Sequence, residues 1–162
     1  MTDGPVNVDD LQWTEYDHGR RAFRRKQLGD AAGGEQLGTS LYEVSPGKRL
    51  WLRHYHEGNE ESIFVLEGSG TLFLGPDAEE HRLEAGDYVA LPAGEASAHE
   101  IAAGDDGLRL LMSSTMDEPD ITVYPDKEMV GLYAGAAPGG EKDDRTLSTY
   151  LDRNAEMDYW EE

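Results

Sequence analysis

A chain of 162 residues with 34 acidic against 14 basic side chains, a net charge of −20 and no cysteine is bounded before any motif is read. The length suits one domain (1–162) that can bury about 70% of its unfolded surface without disulfides or a structural metal, and the lack of cysteine excludes thiolate sites and cysteine nucleophiles. The charge repels phosphate backbones and anionic lipid, so nucleic acid and membrane surfaces are excluded as partners.

Only four bases are lysine (Lys26, Lys48, Lys127, Lys142), and a folded chain this acidic and lysine-poor points to a halophilic source. Residues 1–19 read as an N-terminal tail. Their start, MTDGPVNVDD, lacks the basic segment and apolar run of a secretory signal. No stretch approaches the roughly 20 apolar residues of a membrane span, and the expectation is a soluble, cytoplasmic protein. GRRAFRRKQ (19–27) holds five of the fourteen bases, which reads either as an anion-binding patch or, more simply, as relief of repulsion among surface acids.

LGDAAGGEQLG (28–38) is turn-rich and lacks the spacing of a dinucleotide-binding loop. Strand-like segments then recur: SLYEV (40–44), RLWLRHYH (49–56), ESIFVLEG (61–68), GTLFLG (70–75), DYVALP (87–92), AHEIAA (98–103), LRLLMSS (108–114) and DITVYP (120–125). Gly, Pro, Asp or Asn bounds each one, and this rhythm predicts an all-β sandwich or barrel over about 36–125. Residues 134–162 form a C-terminal extension. In it GAAPGGEKDD (135–144) is a flexible connection, and TLSTYLDRN suits a short helix with Leu147, Tyr150 and Leu151 on one side. The closing DYW (158–160) is aromatic enough to dock on the barrel or on a partner subunit. No serine elbow or phosphate loop is present.

Side chains two apart in a strand share a face. RLWLRHYH therefore aligns His54 and His56 with Leu50 and Leu52, and turns Trp51, Arg53 and Tyr55 the other way. Two imidazoles continuing a leucine row point inward, where an unsatisfied polar ring costs on the order of 1–3 kcal/mol. A divalent cation is a natural shared partner. EGNE (57–60) is a turn that lays ESIFVLEG beside the histidine strand, and by phase alone either Glu60 or Glu61 can serve as the acid. A third imidazole, His99, opens a later strand after Pro92 and Gly94. His18 and His81 sit among polar residues and are expected on the surface.

These residues resemble the two cupin motifs. Gly47, His54, His56, Glu61 and Gly68 match the first; Gly86, Pro92, Gly94 and His99 match the second. Six residues separate Gly47 from His54 and four separate Gly94 from His99, each more than the common pattern has. That longer spacing is similar to a subgroup of small type-2 cupins, and the likeness runs through most of the chain from about residue 20. The resemblance implies a double-sheet jelly roll and Glu61 as the acid. It further implies His54, His56, Glu61 and His99 as ligands of one divalent transition metal (Mn, Fe, Ni, Co, Cu or Zn).

Such cupins include isomerases, dioxygenases and decarboxylases as well as proteins that only bind, and fold does not choose among them. The leading expectation is a metal-dependent enzyme acting on a small carbonyl or hydroxyl compound, a sugar or an organic acid. The alternative is a non-catalytic binding or sensing module. Glu60, Tyr42 and Tyr88 are candidate helpers near the barrel mouth. Outward Trp51 and Tyr55 would need cover, which leads to an expected homodimer.

Overall fold

The computed structural model describes residues 4–155 and 157–160. Eleven strands carry the fold: β1 (Thr14–His18), β2 (Arg21–Gln27), β3 (Leu37–Val44), β4 (Tyr55–His56), β5 (Glu61–Leu74), β6 (Glu79–Glu84), β7 (Tyr88–Leu91), β8 (His99–Thr115), β9 (Asp120–Tyr124), β10 (Met129–Ala134) and β11 (Leu147–Asp152). A single helical turn, α1 (Leu28–Ala31), lies between β2 and β3. All strand pairs are antiparallel. One sheet runs β1-β2-β3-β8-β5-β6 with β7 also on β5, and the other runs β11-β10-β9-β4. This is the expected all-β jelly roll. No helix among the described residues is long and apolar enough to cross a membrane.

The core lies on the inner face of the larger sheet. Register aligns Val65, Leu110 and Tyr42 in one row, and Ile63, Met112 and Ser40 in the next. Ile63, Val65 and Leu110 are fully buried, and each buried side chain of this size contributes roughly 1.5–3 kcal/mol. The next row outward along β5 carries Glu61, which places the acid at the rim of an apolar wall.

Two pairs of expected strands are each one long, bent strand. β5 spans both 61–68 and 70–75, and β8 spans both 98–103 and 108–114. The bend falls where pairing slips between Val65 and Glu67 and between Gly68 and Gly70. At Gly68 (φ +83°) a Cβ would sit 2.2 Å from the Gly107 carbonyl oxygen, so only glycine fits.

Three sequence expectations are corrected. The N-terminal tail, residues 1–19, is not all tail: Thr14–His18 pairs with β2, and Tyr16 stacks on Phe23 at 4.7 Å. The helix expected in TLSTYLDRN is β11, paired from Ala134↔Leu147 to Met129↔Asp152. A helix of two turns cannot hold itself together in water, whereas a strand here satisfies its backbone on the free edge of β10.

The third concerns RLWLRHYH, which is not one continuous strand. His54 exchanges backbone hydrogen bonds with His99 of β8, while Tyr55 and His56 pair with β9. The segment thus crosses from one sheet to the other, and both of its sides are covered. Trp51 packs on Phe23, Tyr16 and Tyr42, and Tyr55 is buried beside Ala98 and Val123. Neither aromatic faces solvent as expected. Tyr159 and Trp160 do, at 85% and 83% exposure, edge to face with each other.

The basic run is strand β2, and most of its charge is used locally. Arg21 pairs with Glu100 at 2.6 Å, Arg24 with Glu43 at 2.5 Å, and Lys26 donates to the Val8 carbonyl.

Candidate metal centre

Four of the five histidines and acids singled out by spacing and resemblance meet between the sheets; Glu60 does not. The Nε2 atoms of His54, His56 and His99 lie 3.8, 3.5 and 3.4 Å from one oxygen, Glu61 Oε2. His54, Glu61 and His99 form the tightest group, with donor atoms all within 4.8 Å of one another. The connecting turn is clamped by buried Asn59, which accepts from Thr115 and the Asp117 amide and donates to the Asp117 carbonyl. Glu61 is thereby fixed just after the turn.

Every imidazole is oriented from behind. His54 Nδ1 donates to the Leu52 carbonyl at 2.6 Å, His99 Nδ1 to the Ser97 carbonyl at 3.0 Å, and His56 Nδ1 to Asp120 Oδ2 at 2.6 Å. Carbonyl and carboxylate oxygens only accept, so each Nδ1 carries the hydrogen and each Nε2 is left to present a lone pair. His99 Nε2 and Glu61 Oε2 are buried and have no hydrogen-bond partner among the described residues. Orphaned, convergent lone pairs are costly alone and suit a cation between them. The residues present could hold one metal ion.

The electrostatics agree. Burial lowers His54 to about 3, helped by the charge of His56, and lowers His99 to about 4, helped by His54. Burial also works to lower His56, yet its hydrogen bond with Asp120 and the charges of Glu61 and Asp120 outweigh this and hold it above the ordinary imidazole value. Burial works to raise Asp120, and the His56 hydrogen bond outweighs it. Two carboxylates, one of them with a fully buried side chain, therefore face the imidazoles with no lysine or arginine among the described residues pairing them. A divalent cation held there would neutralise that charge.

Asp120 and the inward polar face of its strand are what sequence reasoning missed. Register puts Asp120, Thr122 and Tyr124 of β9 on one face with Tyr133 and Gly131 of β10 and Tyr150 of β11. Tyr124 lies against the His54 ring at 5.9 Å, and its hydroxyl is 3.4 Å from that of Tyr133. Gly131 leaves room for Tyr133, whose hydroxyl would be 2.7 Å from a Cβ there. Burial pushes the Tyr124 hydroxyl up to about 12 and the Tyr133 hydroxyl up as well, so both stay protonated donors. The polar alternation Asp120-x-Thr122-x-Tyr124 was the available signal.

The helpers named from sequence separate. Glu60 is exposed and its amide bonds to Thr115; Tyr88 is 65% exposed. Tyr42 is buried on the inner face and accepts from the Trp51 indole at 3.3 Å. His18 and His81 are exposed, as expected. A cavity of about 10 Å³, space for one water, borders Trp51, His54, His99 and Met112. A surface concavity of about 620 Å³ is lined by such residues as Glu15, Arg24, Glu43 and Glu67 and shares no residue with the cluster.

Residues 40–114 match the Cupin_2 family, described as a cupin domain. That match and the all-β double-sheet architecture support the cupin fold for this part of the chain. Over nearly its full length the chain is similar to two solved structures. One is a candidate sugar phosphate isomerase from Acidithiobacillus ferrooxidans: 25% identity, 95% of this chain, 93% of that one, TM-score 0.77. The other is a sugar phosphate isomerase of the cupin superfamily from Silicibacter pomeroyi: 24% identity, 94% of each chain, TM-score 0.78. The polyketide cyclase RemF from Streptomyces resistomycificus matches over 69% of this chain and 78% of its own, at 22% identity and TM-score 0.58. No curated protein matches.

Proposed function

We propose that His54, His56, Glu61 and His99 hold one divalent transition metal and that the cupin is a metal-dependent isomerase of a small phosphorylated sugar. The observation that carries the metal reading is the convergence of three Nε2 atoms on Glu61 Oε2, each ring fixed from behind. The substrate class is supported by the likeness to the Acidithiobacillus ferrooxidans structure along nearly the full length of both chains.

When bound, such a metal supplies a Lewis acid for a carbonyl or hydroxyl oxygen. The chain's own residues bind, orient and keep out water. Leu50, Ile101 and Met112 give the small cavity beside His54 and His99 an apolar lining with a few polar groups, the usual make-up of a small-molecule pocket. Tyr124, neutral at physiological pH, donates a hydrogen bond to a substrate oxygen and does not take its proton.

The test is to load the metal-free protein with each of Mn, Fe, Co, Ni, Cu and Zn and follow aldose and ketose phosphates by NMR. Interconversion with at least one metal is expected; binding without interconversion across the panel would contradict the isomerase reading.

A second reading, a non-catalytic binding or sensing module, is favoured by one observation. The cluster's carboxylates are both engaged, Glu61 among the imidazoles and Asp120 on His56, and neither is free as a general base. Dioxygenase and decarboxylase chemistry would face the same lack.

We also propose a homodimer on grounds other than those the sequence offered. Phe64 and Tyr88 are a cross-strand pair, 40% and 65% exposed. Exposed Met157, Tyr159 and Trp160 give further apolar surface. A halophilic source and a cytoplasmic setting rest on the −20 charge and the cysteine-free composition.

A further inference from the structure

Most of the arginines are paired with acids, as a net charge of −20 would lead one to expect. Arg21, Arg24, Arg49, Arg53, Arg82 and Arg109 all have a carboxylate within 4.0 Å. Arg25 and Arg145 are both half-buried and have none among the described residues.

Their placement is the telling part. Arg25 follows Phe23 on the inner face of β2, and register sets it opposite Tyr42, in the row of Leu110 and Val65. It is a cation on the wall whose rim carries Glu61. Its guanidinium lies 5.8 Å from the Tyr42 ring, and Tyr42 touches Trp51, which borders the same small cavity as His54 and His99.

Arg145 approaches from the other sheet. Its guanidinium stacks 4.9 Å over Tyr133, whose hydroxyl meets Tyr124, the residue packed on His54. Arg145 Nε is buried with no partner among the described residues.

Both arginines hold the same short turn: Arg25 Nη2 donates to the Gly139 carbonyl at 2.9 Å, and Arg145 Nη2 to the Ala137 carbonyl at 3.2 Å. Two residues of chain span at most about 7 Å, so the guanidinium groups flank one spot. Arg25 Nε donates to Ser40, while Nη1 forms no hydrogen bond among the described residues. Glu141, Asp143 and Asp144, on the same loop, are exposed and do not reach either arginine within 4.0 Å.

We infer that Arg25 and Arg145 form an anion subsite at the mouth of the candidate metal centre, taking the phosphate group of the substrate. This rests on the sugar phosphate reading and deepens it. Two planar forks that lack a carboxylate, on a chain rich in them, match a tetrahedral dianion. The neighbouring Tyr42–Trp51 and Tyr133–Tyr124 contacts link both forks to the histidine cluster. Holding the turn is a lesser role for Arg25, because Gln27 Nε2 donates to the same Gly139 carbonyl at 3.0 Å.

Calorimetric titration of the metal-loaded protein tests this, with ribose 5-phosphate, glucose 6-phosphate and mannose 6-phosphate beside the parent sugars and inorganic phosphate. At least one ester is expected to bind ten-fold or more tighter than its sugar. Arg25→Gln and Arg145→Gln are each expected to cut that preference by roughly ten- to hundred-fold, the usual range for a hydrogen bond to a charged group. Metal content and melting temperature stay as they were, and Arg24→Gln, on the outer face, changes nothing.

Should Arg25→Gln fail to fold, Arg25→Lys, which keeps the charge and loses the fork, is expected to show a partial loss. Equal affinity for esters and sugars, or a preference that survives the substitutions at both arginines, overturns the subsite. Inorganic phosphate binding as tightly as the esters overturns its assignment to substrate. Turnover is read separately by NMR. An arginine-dependent preference without isomerisation strikes only the isomerase reading, and isomerisation without the preference strikes only the subsite.

Discussion

The two sheets bury very different faces. The larger one turns Ile63, Val65, Leu72, Leu110 and Met112 inward, a continuous apolar wall with Glu61 at its rim. The smaller one turns Asp120, Thr122, Tyr124 and Tyr133 toward the histidines. Stability and chemistry are thus divided: one sheet is a core that an acid borders, the other a hydrogen-bonding platform behind the imidazoles.

The sharpest way to break this division is to cut into each wall in turn. Ile63→Ala, at a fully buried position, is expected to cost about 2–5 kcal/mol in chemical denaturation. Tyr124→Phe, on the platform, should leave stability nearly unchanged. Comparable losses from both would show that the smaller sheet is core as well.

Acid probes the platform differently. In the metal-free protein His54 and His99 stay neutral down to about 3 and about 4, whereas the unfolded chain protonates both near its ordinary value of 6.5. The unfolded state then binds more protons, so stability falls as pH drops from about 6.5 toward 3. His56, held above 6.5, contributes stability that is fully present below that value and so does not reverse the trend. Asp120, held low, adds to the loss only below its unfolded value, about 3.8. Melting temperatures from pH 7 to pH 4 check this, and a midpoint that rises on acidification would contradict the burial of neutral imidazoles.

Asp120→Asn is the more selective cut. It removes the charge behind His56 and is expected to weaken metal binding roughly ten- to hundred-fold with folding retained. Metal titration with a competing chelator reads it, and unchanged affinity would reduce Asp120 to a structural partner.

These differences between the sheets also explain what the sequence made legible. The strand rhythm and the jelly roll were readable from the sequence, and the spacings of His54, His56, Glu61 and His99, sharpened by a family likeness, picked out side chains that the fold brings near one another. Inward phase of the histidines held, but for a different reason than strand alternation. The segment crosses between sheets, so Trp51, Arg53 and Tyr55 are covered too.

β11 was misread because Leu147, Tyr150 and Leu151 fit a helical stripe, and pairing with β10 is a long-range gain that no local period reports. Asp120 was overlooked for a similar reason. Its importance depends on β9 lying beside β4, which places Thr122 against His56.

The smallest expected effect concerns the surface common to both sheets. A net charge of −20 repels itself, and raising salt from 0.1 M to 1 M shortens the reach of that repulsion from about 10 Å to about 3 Å. The melting temperature is expected to rise over that range in KCl. A flat midpoint would count against a halophilic source.

The central claim, that the histidine cluster is a metal centre, is tested most directly by metal analysis of purified wild-type protein beside His56→Ala and His99→Ala. One divalent transition metal per chain in the wild type, and a sharp loss in both variants with circular dichroism unchanged, is the result predicted. Stoichiometric metal retained in both variants, or none bound by wild-type protein after incubation with all six candidate ions, would contradict it.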